Sequence, residues 1–314
     1  MILVTGAAGF IGSHFTEFLL DKGKSVVGID NFNDYYNPKF KEENIAGFAD
    51  DKGFTLYRED IRSREALKKI FSENEIERVV HIAARAGVRA SLEDPQLYID
   101  VNVNGTTNLL EFARKNSVEQ FVFASSSSVY GTNKTPWSEE QKIESVVSPY
   151  AVTKVAGEAM CRAYSSLYGL PTTCLRFFTV YGPRGRPDMA PYKFTDLIAR
   201  GKPIERYGSG KSKRDYTYIQ DIVQGIGRAV EKKFGFEIIN LGNSKPVELN
   251  YFISLIEENL GKKAVIREKP MPKADVPVTY ADISKAKKLL GWKPSTSVED
   301  GMRAFIKWFR ENRL

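Results

Sequence analysis

The sequence predicts an α/β fold, a doubly wound and mostly parallel sheet with a second, smaller lobe. Three observations predict it. Apolar runs of strand length alternate with helical stretches as far as Phe177. A glycine-rich turn, Gly6-Ala-Ala-Gly9-Phe-Ile-Gly12, joins the first apolar run to the first helical stretch. Beyond Phe177 the texture changes to Pro- and Gly-rich chain carrying short elements.

Taken in order, strands are expected at Ile2–Thr5, Ser25–Asp30, Phe54–Arg58, Val79–Ile82, Gln120–Ser125 and Thr172–Phe177. Helices are expected at Phe10–Lys22, Ser63–Ser72, Pro95–Asn116 and Tyr150–Tyr168. Alternation of this kind builds a parallel sheet covered on both faces, and such sheets bind ligands at the carboxyl ends of their strands. Tyr181-Gly-Pro-Arg-Gly-Arg-Pro-Asp-Met-Ala-Pro cannot hold regular structure for long. After it come a strand at Glu237–Leu241 and a last helix at Val298–Asn312. The expected division is residues 1–178 as a nucleotide-binding domain of Rossmann type, to which the chain returns at about 215–260. Residues 179–214 and 261–314 then form the smaller lobe.

The bulk numbers exclude little but orient the reading. A chain of 314 residues, 42% hydrophobic and 27% charged, can bury a sizeable core. No apolar run is long enough to span a bilayer, and a strand beginning at Ile2 leaves no room for a leader, so the cytosol is expected. Cys161 and Cys174 lack metal-ligand spacing and read as reduced and buried. His14 and His81, far apart in sequence, read as structural, and no metal site is expected. The net charge of +7 is spread over helices where Lys and Arg alternate with Asp and Glu. It fits an anionic small substrate as well as nucleic acid, and no nucleic-acid partner is expected.

The glycine turn has a specific chemistry. Gly6 permits a tight turn, Gly9 lets the backbone approach a pyrophosphate, and Gly12 lets the helix pack against the sheet. The helix N-terminus offers unpaired N–H groups to phosphates. Asp30 ends the second strand, where a carboxylate accepts both hydroxyls of an adenosine ribose. It would repel a 2′-phosphate, and no Arg follows closely, so NAD is expected over NADP.

Tyr150-Ala-Val-Thr-Lys154 places a phenol and an ammonium on one helix face. A nearby cation favours phenolate, which makes the tyrosine a usable base. The spacing alone discriminates poorly, because Tyr35, Tyr130 and Tyr207 are also followed by Lys at the fourth position. Those three sit beside Pro38, Gly131 and Gly208 and read as loops. Only Tyr150 opens a helix, and that helix follows a strand ending in Ser125-Ser-Ser-Ser128. Ser126 can share a proton between a substrate oxygen and the phenol. Gly208-Ser-Gly-Lys-Ser212 imitates the end of a P-loop, but residue 205 is Glu where that motif needs glycine.

With these residues the chain resembles the extended short-chain dehydrogenase/reductases, and within them the NAD-dependent nucleotide-sugar epimerases and dehydratases. Asp30-Asn-Phe-Asn-Asp-Tyr-Tyr-Asn-Pro, Ala84-Arg-Ala-Gly-Val-Arg and Arg176-Phe-Phe-Thr-Val-Tyr-Gly-Pro-Arg-Gly-Arg-Pro-Asp-Met-Ala are similar to the UDP-glucuronate 4-epimerase branch. The resemblance implies cofactor contacts at Phe10, Ile11, Asn31, Asp60, Ile61, Ala83, Ala84, Asn102 and Phe177. It implies a diphosphate clamp at Arg214 and a homodimer built on the helices Pro95–Asn116 and Tyr150–Tyr168. One departure stands out, since the Pro-Gly-Asp of relatives near the uridine is Lys273-Ala-Asp275 here.

The resemblance further implies a reaction that starts with Tyr150 taking the sugar O4 proton as hydride leaves C4. Related dehydratases and decarboxylases carry a carboxylic acid just after the serine, whereas this chain has Ser127 and Ser128. A serine cannot do a carboxylic acid's proton transfer near neutral pH. Epimerisation of UDP-glucuronate to UDP-galacturonate is therefore expected, with UDP-glucose 4-epimerisation as the alternative and a non-catalytic NAD sensor as the rival from another class. Ser127, Ser128 and Thr179 are expected to hold the carboxylate of the 4-keto acid, and Arg186 or Arg85 to contact the carboxylate or diphosphate. For each arginine the competing reading is a surface or inter-lobe ion pair.

Overall fold

A computed structural model describes residues 1–271 and 275–314. Lys273 and Ala274 of the departing motif lie outside the described residues.

The apolar runs become one seven-stranded, all-parallel sheet. Its strands are β1 (Ile2–Thr5), β2 (Val26–Ile29), β3 (Phe54–Tyr57), β4 (Arg78–His81), β5 (Gln120–Ser126), β6 (Thr172–Phe177) and β7 (Phe236–Leu241). The order across the sheet is β7-β6-β5-β4-β1-β2-β3, so the direction of winding reverses between β1 and β4. Successive side chains of a strand point to opposite faces, and two apolar cores follow from this. Ile2, Val4, Val80 and Val122 pack with Phe15 and Ile222 on one face; Leu3, Val79, Phe121 and Phe123 pack with Leu67, Leu109 and Cys161 on the other. Pairings such as Thr5 with Ile29 and with His81 align the carboxyl ends along one edge.

The helices that matter for the site are α1 (Phe10–Asp21), α2 (Lys39–Ile45), α3 (Arg64–Glu73), α4 (Gly105–Lys115) and α5 (Pro149–Tyr168). Ser148 caps α5 by accepting from Ala151 N, Pro149 fills its first turn, and Gly169 ends it with φ +68°. The continuous helix expected at Pro95–Asn116 is instead three pieces: an α-helix at Pro95–Ile99, a π-helical turn at Asp100–Asn104 and then α4. Such wide turns cluster at functional sites.

A third apolar core, with Tyr181, Tyr192, Phe252, Ile256, Phe305 and Phe309, forms the smaller lobe. Phe252 and Ile256 come from the helix Leu249–Leu260, whereas Ala281, Ala286 and Trp292 pack in a core of the large sheet. We therefore propose that Leu249–Leu260 belongs to the smaller lobe and 281–292 to the larger, the reverse of the expected division. Among the described residues no helix is long and apolar enough to cross a membrane.

Candidate active site

The carboxyl ends of β1, β2, β4, β5 and β6 open into one cleft of ≈ 370 Å³. Gly6, Gly9, Phe10, Ile11 and Gly12 line its floor; Asp30 and Asn31 follow β2; Asp60 and Ile61 follow β3. Ala83, Ala84 and Arg85 follow β4, and Tyr150, Lys154, Phe177 and Arg186 complete the lining among the expected residues.

The glycine turn is built for close approach. Gly6 has φ +71°, and a Cβ on Gly12 would stand 1.9 Å from the Gly6 carbonyl oxygen. No side chain caps α1 at Gly9, so its first N–H groups remain available to an anion. Asp30 is buried, with Oδ2 accepting from Ala8 N (3.2 Å) and Oδ1 from Phe32 N (2.9 Å). Together these features fit a dinucleotide: a glycine turn so tight that its own backbone leaves no room for a Cβ at Gly12, free N–H groups at the start of α1, and a buried carboxylate at the end of β2.

Sequence reasoning missed a cation here. Lys41 Nζ lies 3.0 Å from Asp30 Oδ1, and both side chains are buried. Lys41 comes from α2, a helix hidden behind Pro38. Asp60 is pushed up by partial burial, but hydrogen bonds from Arg62 and Asn31 prevail and hold its carboxyl below the usual range. Asn102 does not line the cleft. Its amide accepts from Arg85 N (2.8 Å), donates to Arg85 O (2.9 Å) and donates to Thr153 (3.0 Å). The π turn thus ties the loop after β4 to α5.

Lys154 Nζ donates to the Ala124 carbonyl at 2.6 Å, and burial lowers its pKa to about 8 while Glu158 pulls it back up. Tyr150 is raised by burial; the Ser126 hydroxyl and then the Arg186 charge oppose the rise. The downward pull on the phenol comes from these two groups, where the spacing points to Lys154. Ser126 Oγ lies 3.1 Å from Ser128 Oγ at the end of β5, and Ser127 and Ser128 begin the short turn Ser127–Tyr130.

Ser126, Ser127, Ser128 and Thr179 stand outside the cleft lining proper. Thr179 is half-buried in a short strand, with its N–H donated to the Asp215 carbonyl. Arg214 pairs with Asp275, and Arg89 joins the same carboxylate at 3.2 Å. Arg89 ends the stretch Ala84-Arg-Ala-Gly-Val-Arg, and nothing in its local sequence points to Asp275. Arg186 bonds Asp188 through Nε (3.0 Å) and Nη2 (2.6 Å) and still faces the cleft. Among the described residues no cluster of His, Cys, Asp and Glu could hold a metal ion.

A glycine turn after β1, a buried acid after β2, and a Tyr/Lys pair on α5 beside a serine ending β5 define an extended short-chain dehydrogenase/reductase. Residues 3–305 match the family described as GDP-mannose 4,6 dehydratase, and the chain belongs to that family. A UDP-glucuronate 4-epimerase of Thermodesulfobacterium geofontis is 47% identical over 99% of this chain and 96% of its own. The crystal structure of UDP-glucuronic acid 4-epimerase from Bacillus cereus with UDP-glucuronic acid and NAD superposes with a TM-score of 0.94, at 38% identity over 99% of each chain. A UDP-glucose 4-epimerase of Thermotoga maritima, solved with UDP-glucose, gives 0.91 at 34% identity over 99% of this chain and 98% of that one.

Proposed function

We propose that this chain is an NAD-dependent UDP-sugar 4-epimerase, interconverting UDP-glucuronate and UDP-galacturonate through a transient 4-keto sugar. One observation carries the reading: Tyr150 meets Ser126 and Lys154 bonds the Ala124 carbonyl at the carboxyl end of β5, and the next two residues are the hydroxyls Ser127 and Ser128. The 47% identical relative and the Bacillus cereus enzyme bear the same activity in their names and support it.

Gly6, Gly9 and Gly12 would hold the pyrophosphate of NAD and Asp30 its adenosine ribose; Phe10, Ile11, Asn31, Asp60, Ile61, Ala83, Ala84 and Phe177 would enclose the rest. NAD, when bound, supplies the hydride acceptor and donor at the sugar C4. Tyr150 takes the O4 proton, with Ser126 sharing it, and returns it after the sugar has presented its other face. Lys154, anchored on Ala124, keeps a positive charge beneath the reacting groups. Ser127, Ser128 and Thr179 would hold the substrate carboxylate, and Arg214 with Asp275 would position the diphosphate.

We further assign the protein to the cytosol as a homodimer. Its two cysteines are free and buried, as in a reducing compartment. Ile99 and Val152 are exposed on the two helices expected at the seam. Scattering at the mass of a single chain would contradict the dimer.

Replacing Tyr150 by Phe tests the catalytic assignment. Turnover of UDP-glucuronate should fall by at least about a hundredfold, the scale of general-base catalysis, while NAD stays bound. A variant that still turns over contradicts it, and a protein that binds NAD but never turns over is a sensor.

A further inference from the structure

Stretches distant in sequence meet at one backbone oxygen. The Ala86 carbonyl accepts from Tyr35 Oη (2.8 Å), Tyr98 Oη (3.1 Å) and Arg186 Nη2 (3.3 Å). Beside it Gly87 has φ +119°, and a Cβ there would stand 2.8 Å from the Tyr35 hydroxyl, so this approach requires glycine. The Tyr35 ring also carries two cations: the Arg85 and Arg186 guanidinium carbons lie 4.3 and 5.2 Å from its centroid.

The two arginines differ in how they are satisfied. Arg186 is neutralised by Asp188 through two hydrogen bonds. The Arg85 guanidinium has no hydrogen-bond or ion-pair partner among the described residues, and its Nε is buried. A desolvated guanidinium donor is costly to leave unpaired. Arg85, Arg186 and Tyr35 all line the cleft, so the arrangement suits an acceptor that enters it.

We propose that Tyr35 is a positioning residue for substrate specificity, holding Arg85 and Arg186 side by side as a grip on an oxyanion of the UDP-sugar. The inference rests on the UDP-sugar reading above. That oxyanion is the sugar carboxylate or the diphosphate, either of which suits a guanidinium fork. Tyr35 belongs to one of the four Tyr-x-x-x-Lys pairs and reads from sequence as a loop residue. Its part comes from the ring and the hydroxyl, with no role for Lys39.

The test measures equilibrium binding of UDP-glucuronate and of UDP-glucose by calorimetry, in the NAD-loaded Tyr150→Phe background where binding is read without turnover. Tyr35→Leu should weaken binding about tenfold, the scale of two cation–π contacts, with NAD content unchanged. Tyr35→Phe keeps the ring and should lose only a few-fold. A loss confined to UDP-glucuronate assigns the grip to the carboxylate, and an equal loss for both sugars assigns it to the diphosphate. Unchanged affinity for both overturns the proposal. Should Tyr35→Leu not fold, Arg85→Met gives a second reading: about tenfold weaker binding is expected, and unchanged binding overturns the grip. The double variant should lose less than the product of the two single losses; fully multiplicative losses overturn it. Turnover by the native protein separates the two claims. Native protein that binds but does not epimerise contradicts the proposed function alone, whereas native epimerisation with unaltered variant binding overturns the grip alone.

Discussion

Glu158 sits one helical turn beyond Lys154 and closes a buried network around it. Its Oε1 accepts from Ser125 Oγ (2.5 Å) and Arg176 Nε (2.8 Å), and its Oε2 from Arg176 Nη2 (2.8 Å). Both charged side chains are nearly inaccessible, at 3% and 6% exposure. Removing one partner of such a pair strands the other charge, so Glu158→Gln should cost about 3 kcal/mol in denaturant unfolding. Glu158 also raises the Lys154 pKa, so in the same variant the alkaline loss of activity should move to lower pH. An unshifted profile would confine Glu158 to stability. Thr179 is the second residue to probe. Decarboxylation of a 4-keto glucuronate needs its carboxylate perpendicular to the ketone plane, and the Thr179 hydroxyl is assigned to prevent that. Thr179→Val should raise the fraction of pentose product in the sugar NMR spectrum; an unchanged product mixture removes the restraint. Gly6, Asp30, Ser126 and Tyr150 were legible in sequence because each marks a strand end or opens a helix. Lys41, Arg89, Tyr35 and Glu158 were not, since their partners lie on other elements and only the fold brings them together.

At the scale of elements, hydrogen bonds between secondary structures orient the walls of the cleft. Ala83 N–H donates to Thr5 Oγ1 (3.1 Å), which pairs with His81 Nδ1 (2.7 Å); His81 Nε2 pairs with Thr106 Oγ1 (2.9 Å), which donates to the Asn102 carbonyl. Because Thr106 spends its proton on that carbonyl, His81 donates from Nε2, and its burial favours the neutral ring. Burial lowers its pKa to about 3. His14 likewise donates from Nε2 to the Pro183 carbonyl (2.9 Å), joining α1 to the loop that carries Arg186, and burial lowers its pKa to about 4. With the folded pKa below the unfolded one, the unfolded chain binds the extra proton. The stability contribution is therefore complete above about pH 6.5 and lost as pH falls towards 4. His14→Gln should flatten the dependence of unfolding free energy on pH between 4.5 and 6 by up to about 1.4 kcal/mol per pH unit relative to the native protein. An identical slope would show that His14 is not the titrating group.

The strands of the large sheet were read from sequence to within a residue or two, because buried parallel strands are continuous apolar runs, whereas short partly exposed strands such as Ile204–Tyr207 and Ile266–Lys269 carry no such run. Helices fared less well where local signals mislead. Pro191 reads as a breaker but occupies the first turn of the helix Ala190–Ala199, where proline is favoured. The π turn at Asp100–Asn104 leaves no trace in periodicity because the hydrophobic pattern resumes beyond it.

At the scale of the whole molecule, a sheet built to hold a dinucleotide carries a smaller lobe on the chain that leaves β6. The loop 182–188 starts from that chain, returns to α1 through His14 and to the loop after β4 through Arg186. The glycine turn, the start of α5 and the Arg85–Arg186 pair thus line one cleft, as the proposed reaction, which holds the sugar through two hydride transfers, demands. The most direct measurement is to incubate the protein with UDP-glucuronate and NAD and follow the sugar protons by NMR. Epimerisation predicts the signals of UDP-galacturonate growing to a fixed ratio with no pentose. UDP-glucuronate left unchanged, or converted to a UDP-pentose, would contradict it.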